Sequence, residues 1–193
     1  PRSVELAAWY KVPIYVASSF MEISGTLIHE DVTMEVVNKV RGIANQKGVA
    51  RITVRGAPDR PGIAAALFEP LADAGISVDT IVQNASAERL TDVSFTIAQQ
   101  DADRALGISK LVANNIGAAD CVSNERLGNV SIVGTGMENA PGYAALMFKA
   151  LQAQGINIEM ITTSQIRITC IVDELRIDDA VNALHDAFDL DKD

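Results

Sequence analysis

Hydrophobic and polar positions along the chain fall into two units that share one order of predicted elements. In the first unit, an alternating segment at 50–56 predicts a strand, and a helical stripe of apolar residues follows it and stops at Gly75. The order is strand, helix, strand, strand, helix, strand. The predicted elements are strand 50–56, helix 61–74, strands 76–86 and 91–99, helix 101–117 and strand 118–128.

The second unit repeats this order 80 residues later. Between 59–81 and 139–161, nine of 23 positions are identical without a gap, including Pro-Gly, Ala-Ala and Gly-Ile. The sequence ends before a sixth element, while strand-like residues at 36–45 are left over ahead of the first unit. We therefore predict that 36–45 completes the second unit, which inserts the first unit in the second. The other predicted elements are strand 129–136, helix 141–154, strands 156–163 and 165–172, and helix 177–188.

Each unit is predicted to be a ferredoxin-like βαββαβ domain of the α+β class, with two helices on one face of an antiparallel sheet. The first domain is expected to span 49–127, and the second to combine 36–48 with 128–193. Residues 1–35 fit neither unit. Their predicted helix, strand and turn, which ends in GTLI, resemble the tail of a larger α/β domain.

Local signals predict where the first repeated helix starts, and one residue inside it, a proline, disfavours a helix. Asp59 is predicted to be its N-cap, and Pro61 suits the first helical turn. Pro70 falls inside the helical stripe, where proline kinks or shortens a helix. Asp101 is predicted to cap the second helix of the unit.

The composition is that of a globular protein and limits the partners of the chain. Of 193 residues, 48% are hydrophobic and 21% charged, and the formal net charge is −9. Nucleic acid and anionic membranes attract basic proteins, so this acidic chain suits neither. No apolar run reaches the ~18 residues that span a bilayer. We expect a cytoplasmic protein, and the lack of an initiating Met predicts a fragment or a processed product.

Few residues have the spacing that catalysis or metal binding requires. Cys121 and Cys170 lie in apolar stretches, so buried thiols in a reducing cytoplasm are expected. Neither His29 nor His185 is predicted to be catalytic, because they stand far apart without a ligand pattern. GTGMEN at 134–139 resembles the opening of a GxGxxG phosphate loop, but its third Gly is replaced. The chain is therefore predicted to be a sensor without catalytic residues or a metal.

The repeated Pro-Gly segment combines two features that fit a free α-amino acid. Free backbone N–H groups and the positive dipole end of a helix suit a carboxylate. Asp59 beside them suits an ammonium group through a charge-assisted hydrogen bond. A capped helix without a ligand explains either copy alone, whereas the duplication favours a ligand site. Asn139 takes the place of Asp59 in the second copy, which predicts a weaker ammonium site there.

Segments 52–86, 91–96 and 130–172, together with ALHDAF, closely resemble the paired ACT domains of aspartokinases. Within them, QN at 83–84 and INIEMITTSQI at 156–166 are typical of aspartokinases rather than of ACT domains in general. VPIYVASSF and GTLI resemble the end of that family's kinase domain. The resemblance therefore covers nearly the whole chain.

The resemblance implies an allosteric region in which one ACT domain is inserted in the other. It implies a homodimer in which the first ACT domain of one chain abuts the second of its neighbour, with threonine, lysine or both bound at the junction. Such binding feedback-inhibits phosphorylation of aspartate, the first step of lysine, threonine and methionine biosynthesis. The implied effector-binding residues are Asp59, Pro61, Gly62, Ile63, Ala64 and Gln83 of one repeat, Asn157 and Ile158 of the other, and Ser86, Thr91, Met137, Thr163 and Ser164 along the pockets.

The catalytic parts of that family do not occur in this sequence, neither its Lys-Gly-Gly motif for ATP nor its aspartate-binding residues. The resemblance thus implies a regulatory region or beta subunit whose partner is the catalytic domain or alpha subunit. It implies no cofactor in this chain, because ATP and Mg serve the kinase domain. A free-standing tandem ACT sensor acting on a different enzyme stays an alternative, although residues 1–35 argue against it. A small ferredoxin-like enzyme is the other alternative, without a visible catalytic constellation.

Overall fold

The computed structural model describes residues 2–20, 24–29, 40–85, 89–135, 137 and 141–191. These residues divide into two compact units, Pro1–Val37 and Asn38–Asp193. The first unit holds helix α1 (Arg2–Tyr10) and a two-stranded antiparallel sheet of β1 (Ile14–Val16) and β2 (Thr26–Ile28). The predicted helix is confirmed by α1, and the strand predicted after it is present as β1, three residues long.

The second unit is built on one antiparallel sheet of six strands with four helices. The strands pair in the order β4-β5-β3-β6-β8-β7. The strands are β3 (Val40–Pro58), β4 (Val78–Ala85), β5 (Leu90–Ala98), β6 (Asp120–Gly134), β7 (Met160–Ser164) and β8 (Arg167–Asp173). The helices are α2 (Ile63–Asp73), α3 (Ala102–Ile116), α4 (Tyr143–Ala153) and α5 (Ile177–Ala187).

Two long strands run through both repeats. The first part of β3, 40–46, pairs with 129–134 of β6, and its second part pairs with 120–127 of β6 and with β5. Residues 40–45 therefore lie in the sheet of the second repeat, while 36–39 lie outside the described residues. The predicted break between strands 118–128 and 129–136 is wrong, because β6 is continuous. Residues 40–45 and the predicted strand 50–56 likewise belong to one element, β3, and the domain bounds stay a prediction.

Each repeat has its own apolar core between the sheet and its two helices. The alternation predicted for β3 is confirmed, since Ala50, Ile52 and Val54 are fully buried and point towards α2 and α3. Leu71 of α2 and Leu151 of α4 are also fully buried, one in each core. Burying a leucine side chain is worth roughly 1.5–3 kcal/mol. The two cores therefore hold the helices, and with them the helix starts, in place.

The first repeated helix starts later than predicted. Asp59 is not its N-cap, because α2 begins at Ile63 and its N-cap is Gly62, without a side-chain cap hydrogen bond. Asp59 instead belongs to the end of the sheet, where its backbone N–H donates to the carbonyl of Arg89 at 2.8 Å. Pro70 does not shorten the helix, which continues to Asp73.

Two further predictions are corrected locally. β7 begins at Met160 and not at 156, because Ile156 N–H donates to the carbonyl of Leu151 and closes the end of α4. Asp101 occupies the N-cap position of α3, but its side chain makes no cap hydrogen bond. The predicted stop of this helix at Gly117 is confirmed, since Gly117 adopts a left-handed conformation with φ 80°.

Candidate functional site

The loop between β3 and α2 presents an uncapped helix start. Gly62 has φ 96° and ψ −16°, a left-handed conformation that favours glycine. Its carbonyl accepts the first i to i−4 hydrogen bond, from Ala66 N at 2.9 Å. The N–H groups of Ala64 and Ala65 consequently have no acceptor within the helix. Within the described part of the chain no side chain caps this helix, so two backbone donors face outward.

The sheet fixes the loop that leads to this helix start. Gly56 lies at a bulge with φ 60°, and its N–H donates to Asp92 Oδ1 at 2.8 Å. A Cβ at Gly56 would lie 3.0 Å from the Cβ of Ala119, so the bulge leaves little space for a larger residue. The hydrogen bond from Asp59 N to Arg89 O anchors the next turn. The Asp59 side chain is exposed beside the helix start, where its carboxylate can accept from an ammonium group.

Strand register brings Gln83 and Thr91 to the same end of the sheet as this loop. Ala57, at the end of β3, pairs with Thr91, which pairs with Ala85 on its other side. Gln83 lies two residues before Ala85 on the edge strand β4, and its side chain is exposed. The structure therefore groups the loop, the start of α2, Gln83 and Thr91.

Thr91 has a structural role at this end of the sheet. It is buried, and its hydroxyl donates to the carbonyl of Asn84 on the neighbouring strand. Its side chain thus ties β5 to β4. Ser86, which follows β4, lies outside the described residues.

The second repeat forms the same helix start 80 residues later. Gly142 is the N-cap of α4 with φ 107° and ψ −22°, and among the described residues no side-chain cap hydrogen bond is formed there either. Its carbonyl accepts from Leu146 N at 2.9 Å. Thr163 and Ser164 of β7 are exposed and correspond to Gln83 and Asn84 of the first repeat. Two equivalent helix starts therefore exist in one chain.

The remaining predicted residues near the second loop differ in exposure. Met137 is buried, and its side chain packs in the apolar core of the second repeat. Asn139, the counterpart of Asp59, lies outside the described residues. Ser164 donates from its hydroxyl to the carbonyl of Arg167 at 3.5 Å, across the tight turn between β7 and β8.

Asn157 and Ile158 are not brought to the Asp59 loop of the same chain. They precede β7 and line a groove of about 420 Å³ beside α4. Their neighbour Glu159 contacts Arg51, which lies seven residues before the end of β3. At about 3.3 Å per residue, that is roughly 23 Å of strand. The groove is lined by Phe148, Gln152, Gly155, Ile156, Asn157 and Ile158.

Sequence reasoning missed Arg51 and Glu159. Arg51 Nη2 lies 3.1 Å from Glu159 Oε2, and Arg51 Nη1 donates to the Glu159 carbonyl at 3.0 Å. The two residues are 108 positions apart, so no local pattern relates them. Only the adjacency of Glu159 to Asn157 could have drawn attention to this position.

Both cysteines are buried thiols, as predicted. Burial raises the pKa of Cys170 to about 12. Burial also raises the pKa of Cys121, although Lys110 partly opposes the shift. Over the described ranges, no three His, Cys, Asp or Glu side chains are grouped closely enough to hold a metal ion. No helix in the same ranges is long and apolar enough to cross a bilayer.

Comparison with known proteins agrees with this arrangement of two repeats. The family model described as the ACT domain matches twice, over residues 52–108 and 130–188. The crystal structure of aspartokinase alpha and beta subunits matches with a TM-score of 0.72 and 43% identity, over 78% of this chain and 99% of that chain. The regulatory subunit of aspartate kinase from Thermus thermophilus, in its ligand-free form, matches with the same TM-score and coverage and 38% identity.

Full-length relatives extend the match to the first residues of the chain. An aspartokinase of Pseudomonas aeruginosa is 43% identical over 192 residues, which is 98% of this chain and 47% of that protein. The chain therefore spans about half the length of the curated relatives it matches.

The fold and the two matches to the ACT domain define a tandem ACT region, in which each repeat supplies one βαββαβ unit. The chain belongs to the aspartokinase family and corresponds to its regulatory part, not to its catalytic part.

Proposed function

We propose that this chain is an allosteric region to which threonine, lysine or both bind at junctions between the ACT domains of two chains. Binding there inhibits phosphorylation of aspartate by the kinase domain or alpha subunit. The observation that carries the proposal is the uncapped start of α2 behind Gly62, beside the exposed Asp59. ATP, Mg and aspartate belong to the kinase part, so the proposal assigns this chain no cofactor.

The geometry suits the polar head of a free amino acid. The effector carboxylate accepts from the N–H groups of Ala64 and Ala65, at the positive end of the helix dipole. Its ammonium group donates to Asp59, with Gln83 on the adjoining edge strand. Hydrogen bonds to charged groups contribute about 1.5–3 kcal/mol each. Two such contacts fix the orientation of the amino acid and leave its side chain to decide specificity.

A second chain completes the pocket in this proposal. Asn157 and Ile158 precede Glu159, whose partner Arg51 lies roughly 23 Å along β3 from its end before the Asp59 loop, so they reach an effector at that loop only in a neighbour. The edge strands β4 and β7 carry exposed apolar residues at equivalent positions, Ile81 at 53% and Ile161 at 44% exposure. Exposed edges of this kind favour pairing with another chain. The pairing places the first repeat of one chain against the second repeat of its neighbour.

Inhibition requires that the effector distinguish two states of the dimer. The effector shifts the equilibrium only by the difference in its affinity for them, typically ~1–3 kcal/mol. The form with closed ACT junctions binds the amino acid more tightly and holds the kinase domain inactive.

Calorimetric titration of the chain with threonine and with lysine tests the proposal. We expect heat of binding with at least one of them, and Asp59→Ala weakens that binding by about tenfold or more. Asn139→Ala is the matched control, because it removes the uncharged counterpart and leaves the tighter site intact. Asp59 is exposed, so circular dichroism of Asp59→Ala stays that of the wild type. No heat with either amino acid would contradict the proposed function.

A further inference from the structure

Arg51 and Glu159 form a partly buried ion pair between the two repeats. The side chain of Arg51 is 22% exposed and that of Glu159 is 30% exposed. Arg51 lies in the part of β3 that belongs to the sheet of the first repeat, where its backbone is flanked by β5 and β6. Glu159 belongs to the second repeat and directly precedes β7. The pair therefore connects the central strand of one repeat to a loop of the other.

Every polar group of Glu159 has a partner. Its N–H donates to the carbonyl of Ile171 at 2.8 Å, and its own carbonyl accepts from Arg51. Of its carboxylate oxygens, Oε2 faces Arg51 at 3.1 Å, and Oε1 accepts from Asn157 Nδ2 at 3.0 Å. The contacts with Ile171 and Arg51 fix the position of Glu159. Its carboxylate, which accepts from Asn157, in turn fixes the position of the Asn157 side-chain amide.

We infer that Arg51 and Glu159 are positioning residues, which orient Asn157 for an effector before that effector arrives. This inference rests on the proposed function, since it assigns the pair to the pocket that Asn157 completes. Preorganised side chains lose less conformational freedom on binding, and binding is correspondingly tighter. Neither Arg51 nor Glu159 needs to touch the effector.

The link is specific to the second repeat. At the equivalent positions 80 residues away stand Asp79 for Glu159 and Ser131 for Arg51, so no arginine faces the acidic residue there. Ser131 is buried and shares a hydrogen bond with Thr169 at 2.8 Å. The Arg51–Glu159 pair thus supports the loop that carries Asn157, and the equivalent loop at 77–79 has no such pair.

The experiment uses the full chain and two readouts, the ligand-free ¹H–¹⁵N resonance of the Asn157 side-chain amide and the Kd for threonine and for lysine. In Arg51→Met we expect the Asn157 resonance to move and the Kd to rise about tenfold, within the range of residues that act without touching the ligand. Arg51→Lys keeps the charge and restores most of the affinity. Glu159→Gln gives an independent variant with the same expected direction should Arg51→Met be unstable.

Lys47→Met provides the matched control. Lys47 also forms an ion pair, to Asp178 of the second repeat at 2.8 Å, but it is not bonded to the Asn157 loop. We expect it to leave both readouts unchanged. Unchanged Kd and resonance in Arg51→Met and Glu159→Gln would overturn the inference, as would equal losses in Lys47→Met. If neither amino acid binds the wild type, the proposed function is wrong, and the Asn157 resonance alone decides whether the pair positions this side chain.

Discussion

The two ACT repeats have kept the same scaffold and changed their polar chemistry. Leu71 and Leu151 are fully buried at equivalent positions, and Gly62 and Gly142 adopt the same left-handed conformation. By contrast, Asp59 corresponds to Asn139, and Gln83 corresponds to Thr163. Packing and backbone constraints are therefore preserved where the fold needs them, and the residues that we propose to face a ligand have diverged. The difference teaches that the two helix starts share one backbone conformation, while the residues that precede them in the sequence differ in charge.

The shared scaffold predicts equal losses from equivalent core truncations. Leu71→Ala and Leu151→Ala each remove a fully buried side chain, so each lowers the free energy of unfolding by about 2–5 kcal/mol. Urea denaturation monitored by circular dichroism measures both. Leu111→Ala is the control, because that side chain is 67% exposed, and its effect should be small. A large loss at one leucine and a negligible loss at the other would break the comparison.

Removing a proline from α2 and adding one to α4 should change the free energy of unfolding in opposite directions. Pro70 has no N–H for the carbonyl of Ala66, whereas the equivalent residue in α4 is Ala150. Ala150→Pro should lower the free energy of unfolding by about 3 kcal/mol. Pro70→Ala should raise it by about 1–2 kcal/mol, since the gain in the helix is partly offset by a freer unfolded chain. Thermal and urea unfolding check both variants, and wild-type stability of Ala150→Pro would show that α4 tolerates proline as α2 does.

The smallest predicted difference concerns the two buried thiols. Cys121 is 5% exposed and Cys170 is 0% exposed, so Cys121 should react first with a thiol reagent under native conditions. Mass spectrometry of the labelled peptides gives the order, and prior labelling of Cys170 would contradict it.

The raised pKa of Cys170 has a further consequence for stability. Folding retains the Cys170 proton that the unfolded chain loses above its ordinary pKa of 9.0. The free energy of unfolding therefore falls as the pH rises from about 9 towards 12. Urea denaturation across this range should show a smaller fall in Cys170→Ala. An identical fall in both proteins would mean that another group is responsible.

Local signals in the sequence were enough to predict the elements of both repeats and the outward donors at the helix starts. Alternation and helical stripes located the strands and helices because each has one face in a core. The Pro-Gly segment was found because it recurs 80 residues later, and the structure supplies a reason for the glycine, since only glycine readily adopts the conformation of Gly62. The stop at Gly117 follows from the same property.

Features that depend on tertiary structure were beyond local patterns. The continuity of β3 and β6 is set by pairing between the two strands. Polar residues such as Gln46 and Asn129, which pair with each other, interrupt the hydrophobic pattern, so each strand looks like two in the sequence. The predicted cap at Asp59 failed because its backbone is bonded to Arg89, a contact across the sheet. The Arg51–Glu159 pair spans 108 residues and was invisible for the same reason.

The central claim is that the start of α2 receives the carboxylate of an amino-acid effector. It is tested most directly by titrating the ¹⁵N-labelled chain with threonine and with lysine and following every backbone amide. We predict that the largest shifts occur at Ala64 and Ala65, ahead of Ala144 and Ala145 in the second repeat. Binding that leaves Ala64 and Ala65 unmoved while other amides shift would contradict the account.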